Sequence, residues 1–276
     1  MRDRNLDITL AALVATLWAA LCAAAASGGA GTDLAAFWIA ARVWEMGGGA
    51  EIYAFSESEF FSADSPLWRS AAAEAGLSAP LFPYVYPPIW AALAAPVAAL
   101  TPWPAFQGIG AFLLLLALGL SPIAVRRLAG GRASRTAWTA GGLALVTVGQ
   151  PFLVALPQAQ PQLLVTALTL FAMAWELRGR GRWAPHLAGG ALGLAAALKL
   201  TPAVVALWWL ATGRLRAIPA FVIVGGGLGV AQLLALPLEM TGAYLSRLAA
   251  ISALVIETPV NHALEHGLLI LSGGAG

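Results

Sequence analysis

A chain of 276 residues that is 60% hydrophobic and 10% charged has too little polar composition for a soluble domain, where about a quarter of residues are charged. Its formal charge of +2 resides in short arginine clusters beside apolar runs, which is unlike the basic face of a nucleic-acid binder. The single cysteine, Cys22, rules out an internal disulfide.

The pattern predicts an all-α fold, a polytopic membrane helix bundle, because each spanning backbone must satisfy its hydrogen bonds within a helix. The first apolar run, residues 8–26, is too long for an ordinary signal-peptide core and reads as a retained transmembrane helix. Further runs fall near 87–100, 104–125, 136–156, 161–177, 184–198, 202–213 and 217–238. Arginines cluster at Arg2/Arg4, Arg126/Arg127/Arg132/Arg135, Arg178/Arg180/Arg182 and Arg214/Arg216. Placing all of them in the cytoplasm requires an even number of crossings between successive clusters. Run 87–100 breaks that parity; it is short and contains Pro96, so we read it as a re-entrant or interfacial segment.

This topology makes residues 27–86 a long extracytoplasmic first loop, which holds seven of the thirteen acids. "DLAAFWIAARVWEM" within it reads as an amphipathic helix lying along the membrane surface. The chain is read as one transmembrane module over 1–276. Its end at "LLILSGGAG", soon after a new apolar run begins, leads us to expect C-terminal incompleteness.

Two readings fit each candidate residue. Asp33, directly after the first span, is either a general base with a raised pKa or, like Thr32, the N-cap of a surface helix. Tyr53 in "GGGAEIYAF" and Tyr84 and Tyr86 in "PLFPYVYPP" are either interfacial anchors or a sugar platform. Gln158, Gln160 and Gln162 in "LPQAQPQLL" form either a polar turn or a set of amides for sugar hydroxyls. Lys199, the one lysine in the chain, precedes the helix-breaking Pro202 in "AAALKLTPAVV". It either snorkels to the interface or lines a wet cavity and binds an anionic phosphate. In "ETPVNHALEHG", the spacing of His262 and His266 permits zinc, but no third ligand or HExxH motif accompanies it, so His262 is read as orienting a phosphate or sugar. His186 reads as structural. There is no D-x-D pair and no P-loop, and "GGGLGV" at 225–230 suits close helix packing better than a dinucleotide loop.

Taken in order, "GGAEIY", "FPYVYPP", "QPQLL", "GLAAALKLTP" and "VNHAL", preceded by Asp33, resemble the motifs of glycosyltransferase family 87. These are GT-C type membrane enzymes that use polyprenol-phosphate mannose for α-(1→2) mannosyl transfer. Gln162 stands where asparagine is usual, and Ala159 where glycine is usual. The resemblance implies transfer of a hexose, expected to be mannose, from a polyprenyl-phosphate donor to a lipid or glycan hydroxyl with inversion, at the extracytoplasmic face of the plasma membrane. Asp33 would be the base, Lys199 and His262 would bind the donor phosphate, and Tyr53, Tyr84, Tyr86, Gln160, Gln162 and Asn261 would contact sugar or acceptor. No metal or other cofactor is expected. The alternatives are a transporter or flippase for a lipid-linked sugar and a non-catalytic membrane scaffold.

Overall fold

A computed structural model describes residues 2–27, 31–54, 65–78 and 81–253. Among these the chain is helical and contains no strand. Three helices are long and apolar enough to cross a membrane: Asn5–Ala26, Trp103–Ala129 and Ile218–Ala235. The first two fall within α1 (Arg2–Ala26) and α5 (Trp103–Ala129). The third is built from α11 (Ile218–Phe221), a π-helical turn (Val222–Gly226) and α12 (Gly227–Ala235).

Run 136–156 is not the single span expected from its hydropathy. It divides into α6 (Arg135–Val148) and α7 (Gln150–Gln158), bent by 80°. Gly149 at the break is extended, as suits a residue two before Pro151, whose ring has no N–H to continue the ladder. Counted as one broken span, the pair makes a fourth crossing. The remaining apolar helices are α8 (Gln162–Arg178), α9 (Ala184–Leu198) and the short α10 (Ala203–Ala211).

The arginine clusters collect at one end of this bundle. Asp7 in α1 accepts hydrogen bonds from the backbone N–H groups of Arg135 (3.0 Å) and Thr136 (3.1 Å), while Ser134 accepts from Ala137. The first three N–H groups of α6, which have no partner within the helix, are thereby satisfied. Arg178 donates to Leu128 O at 3.4 Å, which joins the end of α8 to that of α5. Glu176 faces the charges of Arg214 and Arg216. Asp7→Ala strips α6 of two backbone acceptors and should lower stability, read as an earlier thermal unfolding transition in detergent.

The opposite end is built from the connections. α2 (Thr32–Glu45) is not the surface helix expected from its pattern. Eight of its residues are buried, and it is covered by α3 (Pro66–Glu74), α4 (Pro88–Leu100), α5 and the 3-10 turn Gly49–Tyr53. Its alanines at 35, 36, 40 and 41 let neighbours approach closely. α4 has 13 residues, about 20 Å against the roughly 30 Å of a hydrocarbon core, and both its ends stay near α2. The Trp38 indole donates to Thr101 O just beyond α4, and Ile89 N near its start is held by Gln232 Oε1 of α12. α13 (Leu238–Ala253) packs against α4 and the 3-10 turn.

α9 meets α11 and the π turn backbone to backbone. A Cβ on Gly189 would lie 2.0 Å from Ala217 O, and one on Gly193 would lie 2.8 Å from Phe221 O and 2.9 Å from Gly225 N. Gly225 therefore serves close helix packing, as the sequence suggested.

Candidate active site

Asp33 lies in the first turn of α2, and the local backbone decides one of its two readings. The N-cap is Gly31, in the left-handed region at φ 53°, and no side chain caps this helix. Asp33 is therefore not occupied by capping. Its carboxyl is half-buried, and burial raises its pKa from 3.8 to about 6, with the positive charge of Lys199 pulling the other way. Phe37, one turn along α2, meets the Tyr86 ring edge-on at 6.0 Å, and the Asp33 charge in turn acts on the Tyr86 phenol. Asp33, Lys199 and Tyr86 are thus brought together from α2, the end of α9 and the start of α4.

Lys199 is exposed, so it is not enclosed in the protein interior. It is the C-cap of α9, in extended conformation, where Leu200–Pro202 turn the chain into α10. The position is fixed from below. The Trp90 indole of α4 donates to Ala197 O at 2.8 Å, and the glycine seam holds α9 against α11.

The tyrosines are placed differently from a sugar platform. Tyr53 and Tyr84 are fully buried and donate to backbone carbonyls, Tyr53 to Tyr86 O at 2.5 Å and Tyr84 to Pro87 O at 3.0 Å. With Phe37, Tyr86 and Tyr244 they form an aromatic core under the site. Burial pushes all three phenols well above 10. Tyr86 is the one whose electrostatics reach Asp33.

The glutamine turn abuts the link into α2. A small cavity there is lined by Gly31, Gln107, Pro157 and Ala159. Gln160 donates to Gln158, and Gln162 donates weakly to Thr166 at 3.4 Å. Gln162 Oε1 and Thr32 Oγ1 are buried without a hydrogen-bond partner, which is costly unless another group satisfies them. Ala159 is the one described non-glycine residue at positive φ, 49°, at the end of α7. This explains why the family resemblance places glycine there. Ala159→Val adds a β-branch in a left-handed, buried position and should destabilise by about 2 kcal/mol, seen as loss of thermal stability.

At the far end of α2, Trp44, Gly49, Ala50, Pro237, Glu239 and Met240 enclose an open cavity of about 540 Å³. Asn261 and His262 lie outside the described residues, as do Glu57, Glu59, Asp64, Glu257, Glu265 and His266. His186 meets Trp183 in a T-shaped contact at the arginine end, away from Asp33. Among the described residues no cluster of three metal-ligating side chains is found. Sequence reasoning passed over Gln107, Phe37, Trp90 and Gln232. Of these, Gln107 and Gln232, amides inside the apolar runs 104–125 and 217–238, carried a readable signal.

The architecture defines an integral membrane protein in which a half-buried carboxylate lies within electrostatic reach of a lysine at one end of a helix bundle. A family model for glycosyltransferase family 87 matches residues 84–273, and the chain belongs to that family. It is therefore a membrane glycosyltransferase, which takes sugar from a donor to an acceptor. The match includes Tyr84, Tyr86, Gln160, Gln162, Lys199, Asn261 and His262, while Asp33 and Tyr53 precede it. No curated protein matches the chain, and no solved structure does.

Proposed function

We propose that this protein is a GT-C type, polyprenyl-phosphate-dependent hexosyltransferase, with mannose as the transferred sugar and inversion at its anomeric carbon. Asp33 takes the proton from an acceptor hydroxyl as that oxygen bonds to the anomeric carbon. The bond from that carbon to the phosphate oxygen breaks, and polyprenyl phosphate leaves with the electron pair. Its charge changes from −1 to −2, so it needs a cation and not a proton. Lys199 supplies that charge, with His262 assigned the same role.

The observation that carries this reading is the Asp33 carboxyl, free of any capping role, raised to about 6 beside Lys199. A base poised near neutral pH is what proton abstraction requires. The unpartnered Gln162 Oε1 and Thr32 Oγ1 are suited to sugar hydroxyls, and we place Tyr86, Gln160 and Asn261 around the same sugar. Tyr53 and Tyr84 act beneath it as support. The cavity at Trp44 and Glu239 combines a stacking surface with a carboxylate, which suits the glycan of an acceptor. We place the site on the extracytoplasmic face of the plasma membrane, within one module over 1–276 in which 27–86 form the first loop.

Membranes containing the protein, incubated with radiolabelled polyprenyl-phosphate mannose, should yield a labelled glycolipid or glycan. Movement of the labelled lipid between leaflets with no covalent transfer would replace this reading with a flippase.

A further inference from the structure

Opening at the arginine end, between the second half of α5, α6 and the first half of α8, lies a groove of about 550 Å³. Leu118, Pro122, Val125, Trp138, Leu145 and Leu170 wall it. Its few polar side chains are turned inward: Ser121 is buried, and the Thr166 hydroxyl donates to Gln162 O at 2.9 Å. Nothing along its length recognises a sugar or a peptide backbone. It is shaped for hydrocarbon.

Two adjacent glycines of α6 divide the construction. A Cβ on Gly142 would run into Pro122 at 2.9 Å, so this glycine lets α6 close on α5. A Cβ on Gly141 would meet nothing within 4 Å, so this glycine leaves the groove open along its exposed rim.

The mouth carries charge. Arg126 Nε donates to Ala133 O at 2.7 Å, and Val125 and Ala133 both line the groove, so the guanidinium lies across its end. Arg132 is exposed next to Ala133 of the lining, while Arg127, on the opposite side of α5 from Leu118, Pro122 and Val125, faces away from the groove. The described acids at this end are committed elsewhere, Asp7 to Arg135 and Thr136, and Glu176 toward Arg214 and Arg216. The Trp138 indole packs over Gly131 at the same level, where a tryptophan favours the boundary between headgroups and acyl chains. Asp33 follows the other end of α1, about 30 Å away along the helix from Asp7, so the charged mouth of the groove is far from Asp33, while its inner end at Thr166 reaches Gln162.

We propose that this groove binds one anionic phospholipid, with an acyl chain over Gly141 and the phosphate at Arg126 and Arg132. One wall is α5, long and apolar enough to cross a membrane, and another is α6, half of a bent pair that passes the same test, so the medium that meets the groove is lipid. Basic residues at the headgroup level add about 1 kcal/mol each for an anionic lipid. Two such charges select it over a zwitterionic one by tenfold or more.

The full chain, delipidated in detergent, would be titrated with equal dioleoylphosphatidylglycerol and dioleoylphosphatidylcholine and read by native mass spectrometry. Retention of one phosphatidylglycerol at least tenfold over phosphatidylcholine is expected. Gly141→Leu should lose it by filling the groove. Arg132→Gln, at an exposed position, should lower that retention severalfold. Equal retention of the two lipids, or retention unchanged in both variants, overturns the proposal. So does displacement of phosphatidylglycerol by polyprenyl phosphate at a tenfold lower concentration, which would make the groove a donor site. A dimer lost in Gly141→Leu, with no lipid bound to the wild type, would instead assign it to a second copy.

Discussion

Asp33→Asn is expected to reduce sugar transfer by about a thousandfold or more and, at neutral pH, to leave the protein more stable than the wild type. The two effects have one cause. Asp33 ionises at about 3.8 when unfolded and at about 6 when folded, so between these values the unfolded chain binds fewer protons. Stability from this group therefore falls as pH rises from 4 to 6 and stays reduced above. The ionised form costs at most about 3 kcal/mol, which asparagine, nearly the same size, does not incur. A merely structural carboxylate would show the opposite, a loss of stability on substitution. Turnover in the wild type should rise with pH through about 6 and level off above it, as the base becomes deprotonated. Asp33→Asn protein that still turns over, or a rate that falls with rising pH across this range, would remove Asp33 from the chemistry.

Lys199→Gln should weaken donor binding by roughly 10- to 100-fold, the effect of losing a charged hydrogen-bond partner for phosphate. The smaller figure is favoured because Lys199 is exposed. Its second effect is on Asp33. The lysine charge holds the carboxyl below where burial alone would put it, so the pH midpoint of the rate should move to higher pH in Lys199→Gln and stay in place in Lys199→Arg. A lysine that only snorkels would shift neither affinity nor midpoint. Measuring the donor KM and the pH profile on the same preparations separates the two roles.

The helical membrane character was legible because hydrophobic run lengths directly report what a bilayer demands. Runs 161–177 and 184–198 coincide with α8 and α9 within a residue, and the shortness of run 87–100 marked α4 as unable to cross alone. The break within 136–156 was written as Gly149-Gln150-Pro151, but uniform hydropathy on both sides concealed it. α2 misled for another reason. Periodicity reports one buried face, while its opposite face is covered by α3 and α4, which lie more than 20 residues along the chain. The site shows the same division. A lone lysine before a proline stands out by composition, as does an aspartate after a span. That Tyr53 and Tyr84 would turn their hydroxyls onto backbone carbonyls depends on tertiary packing that no local pattern encodes.

Gathering Arg126, Arg127, Arg132, Arg135, Arg178, Arg180, Arg182, Arg214 and Arg216 toward one end has a consequence for supply. Each arginine costs about 2.5–3.5 kcal/mol at the centre of a membrane helix, so inverting an inserted chain would have to drag all nine through hydrocarbon. The orientation is therefore settled once, during insertion, and every copy opens Asp33 to the same compartment. If the donor is the lipid-linked sugar proposed above and is assembled in the other leaflet, its translocation becomes an obligatory earlier step.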